Sequence, residues 1–315
     1  MRISNRLLIC IAASIGYCLC LLSDKFWIAD LAVHWRLHIA LVSLLLALIF
    51  MFFPRKIFAL WMLILTVGFS FPVWQVFTPA PIPEGTEKAS IKILQFNVLY
   101  INDEFKKSIP WIIEQKADIV ILQEITQPRA DELKELKKHY TWSQIKINDK
   151  RRAFGMAIFS NLPVKKFDYV DIGDGWNNYT RTELSVNNLK FHLYELHTPP
   201  PVSEHFFNLR NQNFGVVADV MSKDETPYRI LVGDMNSTIY SPYLQNVMTS
   251  AKLHSSQQGY NMEGTWPNVL PKPLRIGIDQ MLVSKQIKVE RREVASDKNS
   301  DHLPVITILS FYDKN

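Results

Sequence analysis

The sequence predicts a layered α/β sandwich, preceded by apolar segments long enough to cross a membrane. Two observations indicate the sandwich: after residue 90 short apolar runs alternate with helical patterns, and the first unit has the pattern strand, helix, strand. A third is the distribution of hydrophobic residues, since the chain is mostly apolar up to about Phe77 and charged residues are spread throughout the remainder. The 315 residues can hold one α/β domain of about 230 residues and an appendage.

Three apolar stretches lie in the first part: roughly Leu7–Leu22, Leu37–Phe53 and Ile57–Phe77. Each is near the ~17 to 25 residues that a membrane-crossing helix needs. The alternative for the first stretch is a cleavable signal peptide, since Met1–Arg6 is basic, but no small-x-small site closes it and two further stretches come after it. We therefore expect residues 1–77 to form a membrane anchor of three transmembrane helices, in contact with the lipid bilayer through residues 7–77.

The charges of the short loops predict the orientation of this anchor. The basic residues that flank the stretches are Arg2, Arg6, Arg55 and Lys56. The loop at residues 23–36 carries balanced charge. Because basic loops stay cytoplasmic, three spans place everything after Phe77 outside the cytoplasm. The predicted location is a multi-pass membrane position, such as a bacterial inner membrane, with the domain after residue 77 on the extracytoplasmic side.

The formal net charge of +5 does not indicate nucleic-acid binding once it is divided along the chain. Residues 1–80 carry six Lys/Arg and two Asp, a charge of +4, which leaves +1 for the rest. A domain that depends on phosphate-backbone contacts is usually more basic. The three cysteines, Cys10, Cys18 and Cys20, all lie in the first apolar stretch, so no disulfide framework is expected elsewhere.

Residues 78–90 (TPAPIPEGTEKAS) have linker composition, so we expect a single domain over residues 91–315. Strands are expected at Ile91–Tyr100, Ala117–Ile125, Trp142–Ile147, Gly155–Ser160, Thr182–Val186, Lys190–His197, Tyr228–Val232, Gly277–Ser284 and Leu303–Phe311. Helices are expected at Glu104–Lys116, Arg129–His139 and Glu204–Ser222, and Ser241-Pro242 opens a short one through a serine cap. Residues 117–125 are too uniformly apolar for one solvated face, which favours a parallel pair buried between layers.

Polar residues fall at the ends of these strands. They are Asn97, Glu124, His197, Asp234, Asn236, Asp279, Asp301 and His302. Each alone has an ordinary explanation, such as a bulge, the first exposed residue of a strand, or turn chemistry in GDMN. Together they indicate a site, because the ends of adjacent strands converge and ionisable groups avoid burial unless they are paired or bound to metal.

The order of these residues, an asparagine at a strand end and then QE, H, GDxN, ID and SDH, resembles the endonuclease/exonuclease/phosphatase (DNase I-like) superfamily. The resemblance extends over about residues 90–312, and the segments FGMAIFSNLPV and GTWPN are also similar to members of that superfamily. It implies a four-layer α/β sandwich in which two packed β-sheets are flanked by helices. With its anchor, the chain resembles the membrane-anchored bacterial branch.

The resemblance also implies a divalent-metal cofactor, Mg²⁺ or in its place Mn²⁺. Magnesium prefers oxygen ligands and keeps several waters, so Glu124 suits the ligand role, with Asn97 alongside and Asp301 as a further ligand. Many nucleases of the family carry an acidic residue two positions after the asparagine, where this chain has Leu99, which favours a single ion. Arg181, in YTRTEL, is a candidate phosphate contact, with a solvated strand arginine as the equal alternative.

The remaining residues receive catalytic roles from the same resemblance. Asp234 would orient or deprotonate the attacking water, and Asn236 would hold that water or a phosphate oxygen. His302 would bond the scissile phosphate or transfer a proton, with Asp279 fixing its tautomer. His197 would face the phosphate from the opposite side.

The predicted function is a membrane-anchored, divalent-metal-dependent phosphodiesterase or phosphatase that hydrolyses a phosphoester by metal-assisted water attack. The near-neutral domain and its tether favour a lipid headgroup or small phosphoester as substrate, and the alternative is a nuclease acting on DNA or RNA outside the cytoplasm. An alternative of another class is a non-catalytic membrane-anchored binding or scaffold protein with the same fold. A transporter is a poorer hypothesis, because three spans without an intramembrane charge offer no ion path.

Overall fold

The computed structural model describes residues 4–148, 150–173, 175, 177–260 and 263–313. The α-helices are α1 (Asn5–Leu21), α2 (Trp27–Val33), α3 (Arg36–Phe50), α4 (Ile57–Ser70), α5 (Trp74–Phe77), α6 (Ile109–Glu114), α7 (Gln127–Glu132), α8 (Lys134–Lys137), α9 (Glu204–Ser222) and α10 (Pro242–Ser250). The strands are β1 (Thr86–Asn97), β2 (Ile119–Gln123), β3 (Trp142–Lys146), β4 (Met156–Ser160), β5 (Val164–Asp171), β6 (Asn178–Val186), β7 (Leu189–Leu196), β8 (Arg229–Asp234), β9 (Leu253–Ser255), β10 (Asp279–Ser284), β11 (Ile287–Val294) and β12 (Val305–Asp313).

The strands form two six-stranded mixed sheets. The first sheet has the order β11-β12-β1-β2-β4-β3 and the second has the order β5-β6-β7-β8-β10-β9. The central pair of each sheet is parallel, β1 with β2 in the first and β7 with β8 in the second. The strand–helix–strand unit predicted near the start of the domain is therefore the central parallel pair of the first sheet.

Apolar side chains fill the space between the sheets and cover their outer faces. Ile93 of the first sheet and Leu193 of the second belong to the core between the two sheets. Phe96 points to the opposite face of the first sheet and shares a core with α6 and α8. Leu231 points outward from the second sheet and shares a core with Phe214 of α9 and with α10. The predicted sandwich of two packed sheets flanked by helices is confirmed.

Residues 4–77 are largely helical. Helices α1, α3 and α4 share a small core around Met62 and Phe69. Among the described residues no single helix has both the length and the apolar composition to cross a membrane. Helices α2 and α3, which meet at 64°, reach that length and composition only as a bent pair. The three transmembrane helices therefore stay a prediction.

Three edge strands are absent from the sequence prediction, and one of them, β9, has only 3 residues. Strands β5 (VKKFDYVD) and β11 (IKVERREV) each lie at the edge of a sheet and carry several charges. Charged edge strands are common because they discourage pairing with other chains, but the charges obscure the apolar pattern of a strand. Strand β1 also begins earlier than expected, inside the predicted linker, because Thr86–Ser90 pairs with the end of β12.

Ser241 is the N-cap residue of α10 as predicted, but the side-chain hydrogen bond expected of a serine cap is missing. Ser241 precedes the helix, and Pro242 is its first residue, as the sequence indicated. However, the Ser241 side chain makes no cap hydrogen bond, and its Oγ donates instead to Asp30 Oδ1 at 3.2 Å. A long-range partner has replaced the local one.

Candidate active site

The polar residues predicted at strand ends meet at one end of the two sheets. Asn97 ends β1, and Glu124 directly follows β2, its parallel neighbour. In the second sheet His197 follows β7 and Asp234 ends β8. Asp279 begins β10 directly opposite Asp234 in the antiparallel pairing. The topology thus carries side chains from both sheets into one cluster.

The buried carboxylate of Asp234 lies at the centre of this cluster. Its Oδ2 accepts a hydrogen bond from Asn97 Nδ2 at 3.0 Å and lies 3.6 Å from the Nε2 atoms of both His197 and His302. Its Oδ1 accepts from the backbone N–H of Asn236 at 2.9 Å. Burial, the largest influence, raises the pKa of Asp234 to about 6, although both imidazoles oppose it. Such a carboxylate is ionised at neutral pH and basic enough to serve as a general base.

The backbone that precedes this carboxylate requires glycine. Gly233 has a φ of 149°, and a Cβ there would lie 1.9 Å from the carbonyl oxygen of Leu196. The N–H of Asp234 donates to Gln123 Oε1 at 2.7 Å, and Gln123 Nε2 donates to Glu195 Oε1 at 2.7 Å. Burial raises the pKa of Glu195 to about 7, against the opposing hydrogen bond from Gln123. A buried chain of hydrogen bonds from Glu195 through Gln123 therefore holds the backbone of Asp234.

Glu124 and Asn97 form the side of the cluster that belongs to the first sheet. Glu124 Oε1 accepts from Asn97 Nδ2 at 2.9 Å, and its Oε2 accepts from the N–H of Tyr100 at 2.8 Å. Asn97 Oδ1 accepts from the N–H of Leu99 at 3.0 Å. Burial raises the pKa of Glu124 even though these hydrogen bonds oppose it. In this orientation the Asn97 amide group, rather than its oxygen, joins Glu124 to Asp234.

His302 is held as a cation by carboxylates. Its ring Nδ1 lies 2.9 Å from Asp279 Oδ2, and its backbone N–H donates to Ser300 Oγ at 3.1 Å. Burial alone would lower the pKa of His302, but Asp279 and Asp234 outweigh it and raise that pKa to about 10. Asp279 therefore orients the ring and stabilises its positive charge.

His197 differs from His302 in charge. Its Nε2 lies 4.0 Å from Glu124 Oε1, and its ring contacts Phe154 with a centroid separation of 5.0 Å. Burial, the largest influence, lowers the pKa of His197, so the ring is neutral at pH 7. Asp234 thus lies between one neutral and one cationic imidazole.

Comparison with known families agrees with this geometry. The Endonuclease/Exonuclease/phosphatase family model matches residues 94–302, which is more than half of the chain. The chain belongs to the endonuclease/exonuclease/phosphatase family. Members of this family are generally hydrolases that act on phosphoesters. No curated protein matches the sequence.

Several solved structures have the same fold. D. rerio TDP2 complexed with single strand DNA product is 15% identical, with a TM-score of 0.59 over 70% of this chain and 99% of that one. A family protein from Bacteroides thetaiotaomicron is 17% identical, with a TM-score of 0.57 over 72% and 99%. One from Beutenbergia cavernae DSM 12333 is 16% identical, with a TM-score of 0.55 over 71% and 72%. At these identities the likeness shows the fold alone.

Two other predicted residues lie beside the cluster. Asn236 Nδ2 lies 3.4 Å from Asp234 Oδ2, within reach of a water or phosphate bound there. Asp301 precedes His302, and its Oδ2 accepts a hydrogen bond from Trp266 Nε1 at 3.1 Å. The Asp301 carboxylate thus has a partner of its own at the edge of the site.

Arg181 is not part of the cluster. It lies in β6 two residues after Tyr179, so both side chains are on the same face of the strand. The Tyr179 side chain packs in the outer core beneath α9 and α10. Its Nη2 is 3.3 Å from His192 Nδ1, and His192 in turn contacts Asp224 at 2.6 Å. The predicted phosphate contact by Arg181 is therefore not supported by its position on the outer face of the second sheet.

One side of the cluster fits a hard divalent cation. Ligand atoms of Glu124, His197 and Asp234 all lie within 4.8 Å of one another, and so do those of Asp234, Asp279 and His302. In the second group the short His302–Asp279 contact already joins a cation to a carboxylate. The first group holds two buried carboxylates whose pKa values are raised by burial, and a cation between them would offset that cost. Glu124 with Asp234 is therefore the candidate metal centre.

The structure adds supporting residues to which the sequence alone assigned no role. Gln123 and Ser300 directly precede Glu124 and Asp301, inside the motifs QE and SDH. Glu195 lies two residues before His197, so both side chains point to the same face of one strand. That spacing in YELH was the available signal for Glu195.

Proposed function

We propose that this chain is a membrane-anchored, divalent-metal-dependent phosphoesterase whose substrate is a lipid-linked or small phosphoester. The observation that carries the proposal is the position of Asp234 Oδ2, 3.0 Å from Asn97 Nδ2 and 3.6 Å from each of two imidazoles. A base, a cationic donor and a second carboxylate are the groups that water attack on a phosphoester needs.

The side chains have separate tasks in this mechanism. Asp234 accepts a proton from the attacking water, which Asn236 orients. His302, held as a cation by Asp279, donates an N–H to a phosphate oxygen, and His197 contacts the phosphate from the other side. Glu124 together with Asp234 would hold Mg²⁺ or Mn²⁺, which would supply neutralisation of charge on the phosphate oxygens.

The surface of the N-terminal helices supports the membrane anchor. Most of the large apolar side chains that are exposed among the described residues lie between Leu8 and Phe77. Exposed apolar surface of this extent is typical of membrane or protein contact. The basic loops favour an extracytoplasmic catalytic domain. His34 contacts Thr238, four residues after Asp234, so the anchor meets the domain beside the site, which favours a substrate at the membrane surface.

Hydrolysis of bis-p-nitrophenyl phosphate by the full-length protein in detergent micelles tests the proposal. We expect Mg²⁺ or Mn²⁺ to stimulate the reaction, and Asp234→Asn to lower kcat by at least about a hundredfold, because it removes the general base. Asp131→Asn, which changes an aspartate of α7 that is 59% exposed, is the matched control and should retain full activity. Equal rates for Asp234→Asn and the control would contradict the mechanism.

Natural substrates then decide the class of phosphoester. The same preparation is assayed with phospholipid vesicles, inositol phosphates and supercoiled plasmid. Release of a phosphorylated or free headgroup supports the lipid-linked substrate, whereas plasmid nicking without headgroup release makes the protein a nuclease. If no substrate is cleaved and calorimetry detects no Mg²⁺ or Mn²⁺ binding, the chain is a scaffold with this fold.

A further inference from the structure

Residues 23–36, which join α1 to α3, contact the loop that follows the catalytic base Asp234. We call this segment the docking segment and residues 235–238 the catalytic loop. Asp30 and His34 of the docking segment are 0% and 4% exposed. Asp30 Oδ2 lies 2.8 Å from Nη1 of Arg210 in α9, which is equally buried. A buried ion pair across such a contact leaves an uncompensated charge if either partner is lost.

Further contacts join this ion pair to the catalytic loop. Arg210 Nη1 donates to the carbonyl oxygen of Asn236 at 3.4 Å. His34 Nδ1 accepts from the N–H of Thr238 at 3.3 Å and lies 3.0 Å from Thr238 Oγ1. Because Nδ1 accepts a backbone hydrogen bond, the ring proton is on Nε2, which faces Asp30 Oδ2 at 3.3 Å. His34 thus contacts one backbone group of the loop directly, and Asp30 is joined to a second one through Arg210.

The catalytic loop depends on these outside partners. Asn236 has a φ of 44°, a left-handed conformation that asparagine tolerates but most residues avoid. Its side chain is fixed within the domain, where Nδ2 donates to the carbonyl of Thr198 at 2.8 Å. Its own carbonyl accepts from Arg210 of α9, and the N–H of Thr238 donates to His34. Loss of the docking segment would remove the His34 contact and would leave Arg210 without its buried partner Asp30.

We propose that Asp30 and His34 are positioning residues that hold the catalytic loop in the geometry required by Asp234. They touch none of the reacting groups and act through Arg210 and Thr238. The inference rests on the proposed function, since it concerns the same site, and adds that turnover depends on the docked N-terminal segment. Loss of docking lowers turnover, while Glu124, the proposed cation ligand beside the first sheet, stays in place.

The test compares His34→Gln with His38→Gln in the full-length protein in detergent micelles. His38 lies four residues further along the chain, and its Nε2 contacts the carbonyl of Pro273 at 2.9 Å, which is not a catalytic-loop residue. At a temperature where both variants are folded, we expect His34→Gln to lower kcat about ten- to a hundredfold, with KM within about twofold, because the base is misplaced. His38→Gln should change neither constant and should leave Mn²⁺ binding by calorimetry unchanged.

Two further measurements separate positioning from stability. His34→Asn places an amide oxygen near the position of Nδ1, so it should recover much of the kcat lost in His34→Gln. Hydrogen exchange of the catalytic-loop amides should be faster in His34→Gln and Asp30→Asn than in wild type, while β8 and β10 are unchanged. Equal kcat for His34→Gln and His38→Gln would overturn the proposal. If the wild-type protein hydrolyses no phosphoester, the proposed function fails, and unchanged exchange in the loop would overturn the positioning role separately.

Discussion

Replacing Asp279 by asparagine tests why His302 is cationic. Asp279 Oδ2 lies 2.9 Å from His302 Nδ1, and at an effective dielectric constant of about 20 a unit charge at that distance contributes about 6 kcal/mol. Asparagine keeps the shape and an acceptor but removes the charge. Burial then favours the neutral ring, opposed mainly by Asp234 at 3.6 Å. We expect the pKa of His302 to fall from about 10 to below about 8.

The assay is the pH dependence of kcat/KM with bis-p-nitrophenyl phosphate at saturating Mg²⁺. The His302 cation is present below its pKa, so activity is lost as pH rises through that value. The alkaline limb should move down by at least about 2 pH units in Asp279→Asn. Asp297→Asn is the matched control, since this exposed aspartate only accepts a hydrogen bond from the N–H of Asn299 at 2.8 Å. An alkaline limb in Asp279→Asn that stays at the wild-type pH would refute the assignment of His302 as the cationic donor.

The remaining predictions concern the support beneath the site. Burial raises the folded-state pKa of Glu195 to about 7 from 4.5, so the native state keeps a proton that the unfolded state loses, and stability falls by about 3 kcal/mol as pH rises through that interval. Glu195→Gln should remove this pH dependence. Relative to wild type, the melting temperature of the variant should therefore rise most at pH 8 and little at pH 4. Melting temperatures of the two proteins that change in parallel with pH would contradict the explanation. Gly233→Ala should cost about 3 kcal/mol or more in a denaturant titration, because its Cβ would meet the Leu196 carbonyl at 1.9 Å. Gly215→Ala, in α9 with open space around it, should instead stabilise by about 0.5–1 kcal/mol; equal effects of the two substitutions would show that steric contact is not the cause.

Most of the site could be predicted because its residues interrupt apolar strands. An ionisable residue at the end of a buried strand is unusual enough to notice, and the order of strands carries such residues to one edge. Asp234, Asp279 and His302 were found in this way, and they lie within a few ångströms of one another. The supporting residues were harder to find, since Gln123 and Glu195 lie inside strands, where the only signal for Glu195 is its spacing of two residues from His197.

Arg181 shows the limit of reasoning from alternation. Both faces of the second sheet are covered, one by the first sheet and the other by α9 and α10. The alternation of side chains separates the two faces of β6, but it does not identify the face that lies against the first sheet and the site. Its neighbour Tyr179 packs in the outer core, and a tyrosine fits either core equally well.

The contact between the N-terminal helices and the rest of the chain could not be predicted either. Asp30 and Arg210 lie far apart in the sequence, and each alone is typical of a solvated charge. In the structure they form a fully buried pair, and Ser241 has exchanged its local cap for a bond to Asp30. Sequence propensities describe contacts between residues close in the chain, whereas the contacts of Asp30 with Arg210 and Ser241 form only once the two parts of the chain have packed.

The most direct test of the central claim, that Glu124 and Asp234 hold a divalent cation for phosphoester hydrolysis, is the Mg²⁺ dependence of activity in the full-length protein. We predict saturable activation that EDTA abolishes, and a Mg²⁺ requirement at least about tenfold higher in Glu124→Gln, because one charged oxygen ligand is lost. Glu135→Gln, at a position that is 56% exposed, should match wild type. Hydrolysis that is equal in EDTA and in Mg²⁺, or an unchanged Mg²⁺ requirement in Glu124→Gln, would contradict the claim.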